Sequence, residues 1–203
     1  MKKTIILFLV ISIIIFIFIY QKENKINTDN INIKYPKTAI KKVDTEIKNY
    51  INEQVNYFKE NYETDDQGIK QGNLIIEYTY KEINNRYLNT VLITKITNKL
   101  IDYPIYDIKT YTYDLNKENF VTLDNFISKD RLEFYSNEIK SILKKDYENC
   151  IIPEKIDELL KTEYETYQNF TFDNHTFTFY LLPKQLASDY YDIISIDIPL
   201  TKK

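Results

Sequence analysis

The chain has 203 residues, a formal net charge of −3, one cysteine and one histidine. This mildly acidic balance, without a basic patch, argues against nucleic acid as a partner. A single cysteine excludes an intrachain disulfide, so the fold must be held together by its core. The 19 tyrosines and 11 phenylalanines supply much of that core.

Residues 4–20 form an uncharged apolar run that follows Lys2 and Lys3. At about 1.5 Å of rise per residue, a helix of this length nearly spans a bilayer core of about 30 Å. Because positive charge stays cytoplasmic, we predict a single-pass anchor in the cell membrane with an extracytoplasmic C-terminal domain. With three residues before the run, we expect no cytoplasmic output domain. A cleaved signal peptide and a buried core helix remain as alternatives.

The segment after the anchor, residues 21–30, is polar and non-periodic, which predicts a stalk before a domain at 31–203. Residues 31–35 alternate between apolar and polar, as in a strand, and Pro36 ends the pattern. From Thr38 the spacing changes to three- and four-residue steps, which predict an amphipathic helix of about six turns. Its apolar stripe consists of Ile40, Val43, Ile47, Ile51, Val55, Phe58 and Tyr62.

The remaining patterns are alternating strand-like runs and two further helices. Asn84-Asn85-Arg86 reads as a hairpin turn, Ser128 as a helix cap and Pro153 as a first helical position. Strands are predicted at 74–83, 87–97, 106–115, 120–123, 167–172, 175–181 and 193–200. Because strands and helices are segregated, we predict an α+β fold whose antiparallel sheet is packed by a long N-terminal helix and two later helices.

Few residues offer catalytic or metal-binding chemistry, and we predict no catalytic residue, no metal and no cofactor. His175 reads as a solvated turn residue and Cys150 as a buried, inert thiol. Glycine occurs only at 68 and 72, too sparsely for a phosphate-binding loop. The acids leave open a glycan-active enzyme with paired carboxylates, from Asp65, Asp66, Asp102, Asp107, Asp114 and Asp124.

Tyrosines recur on single strand faces, as the pairs Tyr78/Tyr80 and Tyr111/Tyr113. Such aromatic stripes pack in cores or form cross-strand pairs, and they also occur at partner or glycan surfaces. Both interpretations stay open from the sequence.

Several short motifs occur in a recognisable order along the displayed part of the chain. They are Ile33-Lys34-Tyr35-Pro36, Tyr113-Asp114-Leu115-Asn116, Phe120-Val121-Thr122-Leu123-Asp124-Asn125-Phe126, Phe177-Thr178-Phe179-Tyr180, Pro183-Lys184-Gln185-Leu186-Ala187 and Ile196-Asp197-Ile198-Pro199-Leu200. Together they resemble the extracytoplasmic domain family of the anti-sigma factor RsiV, over about residues 31–200. A similar module forms the non-catalytic N-terminal part of some peptidoglycan deacetylases.

The resemblance implies a non-enzymatic binding module whose partner is a lysozyme-like protein or peptidoglycan. By matched position, it places partner binding in one late loop, at Pro183, Lys184, Gln185, Leu186, Asp189 and Tyr190. The alternatives are the glycan-active enzyme and an accessory domain for a separately encoded deacetylase.

Overall fold

The computed structural model describes residues 23–64, 67–69, 71–148, 151–182 and 192–200. In this part of the chain, two sheets and three α-helices form an α+β fold. The strands are β1 (Glu23–Asn27), β2 (Ile31–Pro36), β3 (Gly72–Ile83), β4 (Tyr87–Asn98), β5 (Ile105–Asp114), β6 (Asn119–Phe120), β7 (Phe170–Phe172), β8 (Thr176–Leu181) and β9 (Ile194–Pro199). The helices are α1 (Lys41–Asn61), α2 (Lys129–Asp146) and α3 (Pro153–Leu159).

The first lobe comprises β1 to β6 and α1. Its strands lie side by side in chain order, and all neighbours are antiparallel except β2 and β3. The prediction of an antiparallel sheet is therefore wrong for one pair. Helix α1 returns the chain to the end of the sheet where β2 began, and a strand–helix–strand connection of this kind makes its two strands parallel.

Part of the expected stalk is paired in this sheet. Glu23–Asn27 forms β1 and pairs with β2 over five residue positions. The segment is polar because a strand at the sheet edge needs only one row of hydrogen bonds, and here most of its side chains face solvent. Its polar composition therefore lacks the apolar alternation that predicts a strand.

The apolar stripe of α1 packs on one face of the six-stranded sheet, as predicted. Val43, Ile47 and Phe58 are fully buried against Ile33 and Leu74. The β3–β4 hairpin is also confirmed, with Asn84 and Asn85 at φ values of 53° and 52°. Asparagine tolerates this left-handed backbone and suits a tight hairpin turn.

The second lobe comprises α2, α3 and the antiparallel sheet β7–β8–β9. Helices beginning after Ser128 and at Pro153 are confirmed. The strand expected from residue 167 begins at Phe170 instead, because Tyr164–Tyr167 forms a 3-10 helix that buries Tyr167. This lobe has a core of its own, in which Ile and Leu side chains pack with a connected cluster of Phe and Tyr rings.

Polar contacts join the two lobes. The Asn89 side chain on β4 donates to the carbonyl oxygen of Phe172 at 2.6 Å, and the N–H of Thr110 on β5 donates to the side chain of Asn169 at 3.2 Å. Asn84 donates to Asn174 at 2.6 Å between two hairpin turns. These bonds fix the second lobe beside the outer edge of β5.

Among the described residues, no helix has the length and apolar character needed to cross a membrane. The predicted anchor at 4–20 lies outside them.

Candidate functional site: an acidic groove along β5

A groove with a volume of about 670 Å³ lies between the two lobes. Its floor is β5 at Asp107 and Lys109, and one wall is α1. The other wall comes from the second lobe, at the end of α3, the Tyr164–Tyr167 helix and the end of β8. A second cavity of about 520 Å³ shares Glu46 and Tyr111 with the first, so the groove continues along β5. We call this feature the acidic groove.

Four carboxylates and one lysine line the larger cavity: Glu46, Glu53, Asp107, Glu165 and Lys109. Their formal charges sum to −3, which is a concentrated negative charge for one concavity. Low-dielectric walls focus such a field and raise the local concentration of cations.

Helix α1 presents two of these acids because Glu46 and Glu53 lie seven residues apart, close to one angular position of a 3.6-residue helix. Asn49 lies between them on the same side and also lines the groove. This polar stripe borders the buried stripe of α1, so packing the helix on the sheet turns the acids towards the edge of β5.

Asp107 is held in place by two side chains from α1. Its Oδ2 accepts hydrogen bonds from Tyr50 at 3.1 Å and from Gln54 at 2.9 Å. The Tyr50 hydroxyl also pairs with Thr94 at 2.9 Å. Burial, followed by the negative charge of Asp107, raises the pKa of Tyr50 well above its ordinary value. Tyr50 therefore remains a neutral donor that orients the carboxylate.

Tyr111 reports the electrostatics of the groove. Its hydroxyl donates to the backbone carbonyl of Glu46 at 3.2 Å. Burial raises the pKa of Tyr111 to about 12, and the charges of Glu46 and Glu53 add to the effect. The phenol thus experiences a negative potential from α1 in addition to desolvation.

The six predicted partner-binding residues, Pro183, Lys184, Gln185, Leu186, Asp189 and Tyr190, lie outside the described residues. The described residue before this loop, Leu182, lines the cavity. The pKa of Tyr106 on β5 is raised, first by burial and then by a hydrogen bond to Asp192.

The other candidate residues from the sequence do not converge on one site. His175 is exposed in the β7–β8 turn, and Cys150 lies outside the described residues. Asp114 is buried: its Oδ1 accepts the N–H groups of Asn116 and Lys117, and its Oδ2 accepts the Arg86 guanidinium at 3.1 Å. Its place in the Tyr-Asp-Leu-Asn motif is therefore explained by the turn that follows β5.

The tyrosine pairs Tyr78/Tyr80 and Tyr111/Tyr113 pack mainly in or against the core of the first lobe. Tyr113 is buried in the core beneath α1, and Tyr78, Tyr80 and Tyr111 pack against that core. Tyr111 also faces the groove. Across the described ranges, no group of three or more His, Cys, Asp or Glu side chains is arranged to hold a metal ion.

The fold and groove together define an extended α+β domain with an acidic cleft between its two lobes. No protein-family model matches the chain, and no curated protein matches it in sequence. Among solved structures, the chain is similar to a crystal structure of a DUF3298 family member from Bacteroides fragilis. The TM-score is 0.55 at 14% identity, over 88% of this chain and 89% of the other. At this identity the likeness concerns the fold.

None of the groove glutamates is predicted from the sequence patterns, and Asp107 stands among them only as one of several acids along the strands. The spacing of Glu46 and Glu53 was a readable signal, but its meaning depends on finding β5 and the second lobe opposite that side of α1.

Proposed function

We propose that the protein is a membrane-anchored, extracytoplasmic binding module that engages a lysozyme-like protein, or the peptidoglycan beside it, without catalysis. The observation that carries this proposal is the acidic groove. A basic protein such as lysozyme complements its charge, and electrostatic complementarity accelerates encounter and fixes the docking register.

The fold likeness to a DUF3298 member, over 88% of this chain, supports the proposal at the level of architecture. The apolar run at 4–20 supports the membrane location. The late loop with Pro183, Lys184, Gln185, Leu186, Asp189 and Tyr190 remains the proposed contact surface. Its described neighbour Leu182 lines the groove, which supports a partner that contacts both.

Calorimetric titration of the detergent-solubilised full chain with lysozyme tests the proposal. We expect saturable binding that weakens with salt, because screening shortens the reach of the groove's field. The double variant Glu46→Gln/Glu53→Gln should bind more weakly. Glu60→Gln is the matched control, because Glu60 is an exposed α1 glutamate outside the groove lining. Absence of binding at tens of micromolar would exclude the lysozyme version.

A cell-wall glycan-active enzyme is the second candidate, because the groove brings several carboxylates into one concavity. Glycosidases need a carboxyl group kept protonated by an apolar environment. Glu53 and Glu165 are exposed and Glu46 is half-buried, which favours binding over this chemistry. Incubation of the chain with purified peptidoglycan distinguishes the two: release of reducing ends, lost in the Glu46→Gln/Glu53→Gln variant, would establish the enzyme.

A further inference from the structure

Strand β1 fixes the place where the chain enters the first lobe. It runs antiparallel to β2, and its first residue, Glu23, pairs with Pro36 at the end of β2. The Tyr78 hydroxyl on β3 also donates to the Glu23 carboxylate at 3.5 Å. Because β2 leads directly into α1, the chain enters beside the N-terminus of that helix.

The turn between β5 and β6 lies at the same place. Lys42, on the first turn of α1, donates to the Asn119 side chain at 2.6 Å, and its ammonium group lies 5.8 Å from the centre of the Phe120 ring. Residues 37–44 and 115–119 therefore form one surface beside the start of β1. We call this surface the entry end of the first lobe.

The entry end is basic, although the chain as a whole has a net charge of −3. Four of its lysines are exposed: Lys37, Lys41, Lys42 and Lys117. The acids of the same two segments are Asp44 and Glu118, so the surface has a formal charge of +2. Asp44 is also engaged within the surface, because the N–H and the hydroxyl of Thr38 both donate to its Oδ1.

The opposite end of the same lobe is acidic. The β1–β2 turn, the end of α1 and the start of the β4–β5 connection meet there, through bonds from Asn30 to the Glu63 carboxylate and from Asn98 to the carbonyl of Tyr62. Residues 28–30, 59–63 and 99–104 have a summed formal charge of −2. We call this surface the far end. The 21-residue helix α1 separates the two ends by about 30 Å.

The apolar run at 4–20 stops close to the entry end in the sequence. Two residues separate Tyr20 from Glu23, and three residue steps span at most about 10 Å. With that run in the bilayer, the short connection keeps the entry end close to the lipid surface. Anionic headgroups attract lysines within a Debye length, which is about 8 Å at physiological ionic strength.

We propose that the entry end of the first lobe lies on the bilayer and binds anionic lipid headgroups through its four exposed lysines. The inference rests on the membrane anchoring in the proposed function, and it adds an orientation in which α1 points away from the lipid. Strand β5 begins after the β4–β5 connection, at the far end, and finishes at the entry end. The Asp107 part of the acidic groove therefore lies farther from the bilayer than the β5–β6 turn.

Fluorescence quenching in vesicles tests this orientation. Ala39→Cys places a fluorophore at the entry end and Glu60→Cys places it at the far end of α1, both at exposed positions. Cys150→Ser removes the native thiol from each full-length chain. The vesicles contain equal phosphatidylglycerol and phosphatidylcholine, with a spin-label quencher on the headgroups. Because α1 separates the labels by about 30 Å, we expect quenching at 39 to exceed that at 60 at least about twofold. Equal quenching would overturn the orientation.

The role of the lysines is tested with the label at position 39. Lys37→Gln/Lys41→Gln/Lys42→Gln should reduce its quenching about twofold, as should vesicles of phosphatidylcholine alone. The matched control, Lys145→Gln/Lys155→Gln/Lys161→Gln, removes three exposed lysines of the second lobe and should leave the quenching unchanged. Unchanged quenching in the first triple variant would overturn headgroup binding.

Flotation and lysozyme titration of the same samples separate this inference from the proposed function. A chain that does not float with the vesicles would contradict the membrane anchoring on which both rest. A chain that floats and binds lysozyme, but whose labels at 39 and 60 are quenched equally, would leave the proposed function standing and overturn this inference.

Discussion

The two lobes bury their sheets with different arrangements of side chains. The first lobe buries one face of a six-stranded sheet under a 21-residue helix, and its core is mainly Ile, Leu and Val. The second lobe has three short strands, and its core combines a larger number of Ile and Leu side chains with a connected cluster of Phe and Tyr rings. Phe177, for example, contacts Tyr135, Phe170 and Phe179 with ring centroids 5.5–6.0 Å apart.

Each aromatic ring buries a large area and adds ring–ring contacts, which helps a lobe with three short strands to offset the entropy of ordering its chain. In the first lobe, Tyr50 reaches from the core to Asp107, so this core also helps to shape the acidic groove. The second lobe serves as the opposite wall of that groove.

Removing a ring from the aromatic cluster of the second lobe should cost the most stability. Phe179 is fully buried and contacts the rings of Tyr135 and Tyr167. Phe179→Ala should lower the free energy of unfolding by about 3–5 kcal/mol, from lost transfer energy and the remaining cavity. Ile47→Ala provides the comparison in the first lobe, with an expected cost of about 2–5 kcal/mol.

Urea unfolding of both variants, followed by far-UV and near-UV circular dichroism, tests whether the lobes are one cooperative unit. The hydrogen bonds from Asn89 and Thr110 across the boundary lead us to expect a single transition in each variant. Two separated transitions in Phe179→Ala would show that the second lobe unfolds independently.

The next effect concerns Asp114 in the first lobe. Asp114→Asn should cost about 2–3 kcal/mol at neutral pH, because the change weakens bonds from Arg86 and two backbone N–H groups to a buried carboxylate. Burial alone would raise the pKa of Asp114, but these bonds hold it below its ordinary value of 3.8.

The pH dependence of stability follows from that lowered pKa. Asp114 contributes fully above the ordinary pKa of 3.8, and its contribution is lost as pH falls through the lower folded-state pKa. The difference in unfolding free energy between wild type and Asp114→Asn should therefore shrink below about pH 4. A constant difference down to pH 2 would contradict this role.

Two tyrosine hydroxyls in the second lobe should have smaller effects on stability, of opposite sign. Tyr167 shares a 2.8 Å hydrogen bond with buried Ser136, so Tyr167→Phe should cost about 1–2 kcal/mol. The hydroxyl of Tyr135 is buried with no hydrogen-bond partner among the described residues. Tyr135→Phe should therefore be neutral or stabilising by about 1 kcal/mol. Thermal unfolding of both variants tests the contrast, which would fail if Tyr135→Phe were the more damaging change.

The double variant Glu46→Gln/Glu53→Gln should have the smallest effect on stability. It provides a direct measure of the electrostatic field of the groove. Removing these charges should lower the pKa of Tyr111 from about 12, while burial keeps it above the ordinary 10.0. Spectroscopic titration of the variant and of the Glu60→Gln control provides the measurement. An unchanged pKa would mean that neither glutamate acts on the groove.

Most of the local structure follows from short-range patterns in the sequence. The three- and four-residue spacing predicts the buried stripe of α1, Asn84-Asn85 predicts the hairpin, and Pro153 predicts the start of a helix. Each of these features depends on interactions within a few residues. The segregation of these elements also sufficed to predict an α+β fold.

Other features depend on contacts between distant parts of the chain. Pairing with β2 makes a strand of the polar segment Glu23–Asn27, and the crossover through α1 makes β2 and β3 parallel. The groove unites Glu46 and Glu53 with Asp107 and Glu165, which are more than 50 residues apart along the chain. No local pattern encodes that juxtaposition, because it arises only when the second lobe packs beside β5.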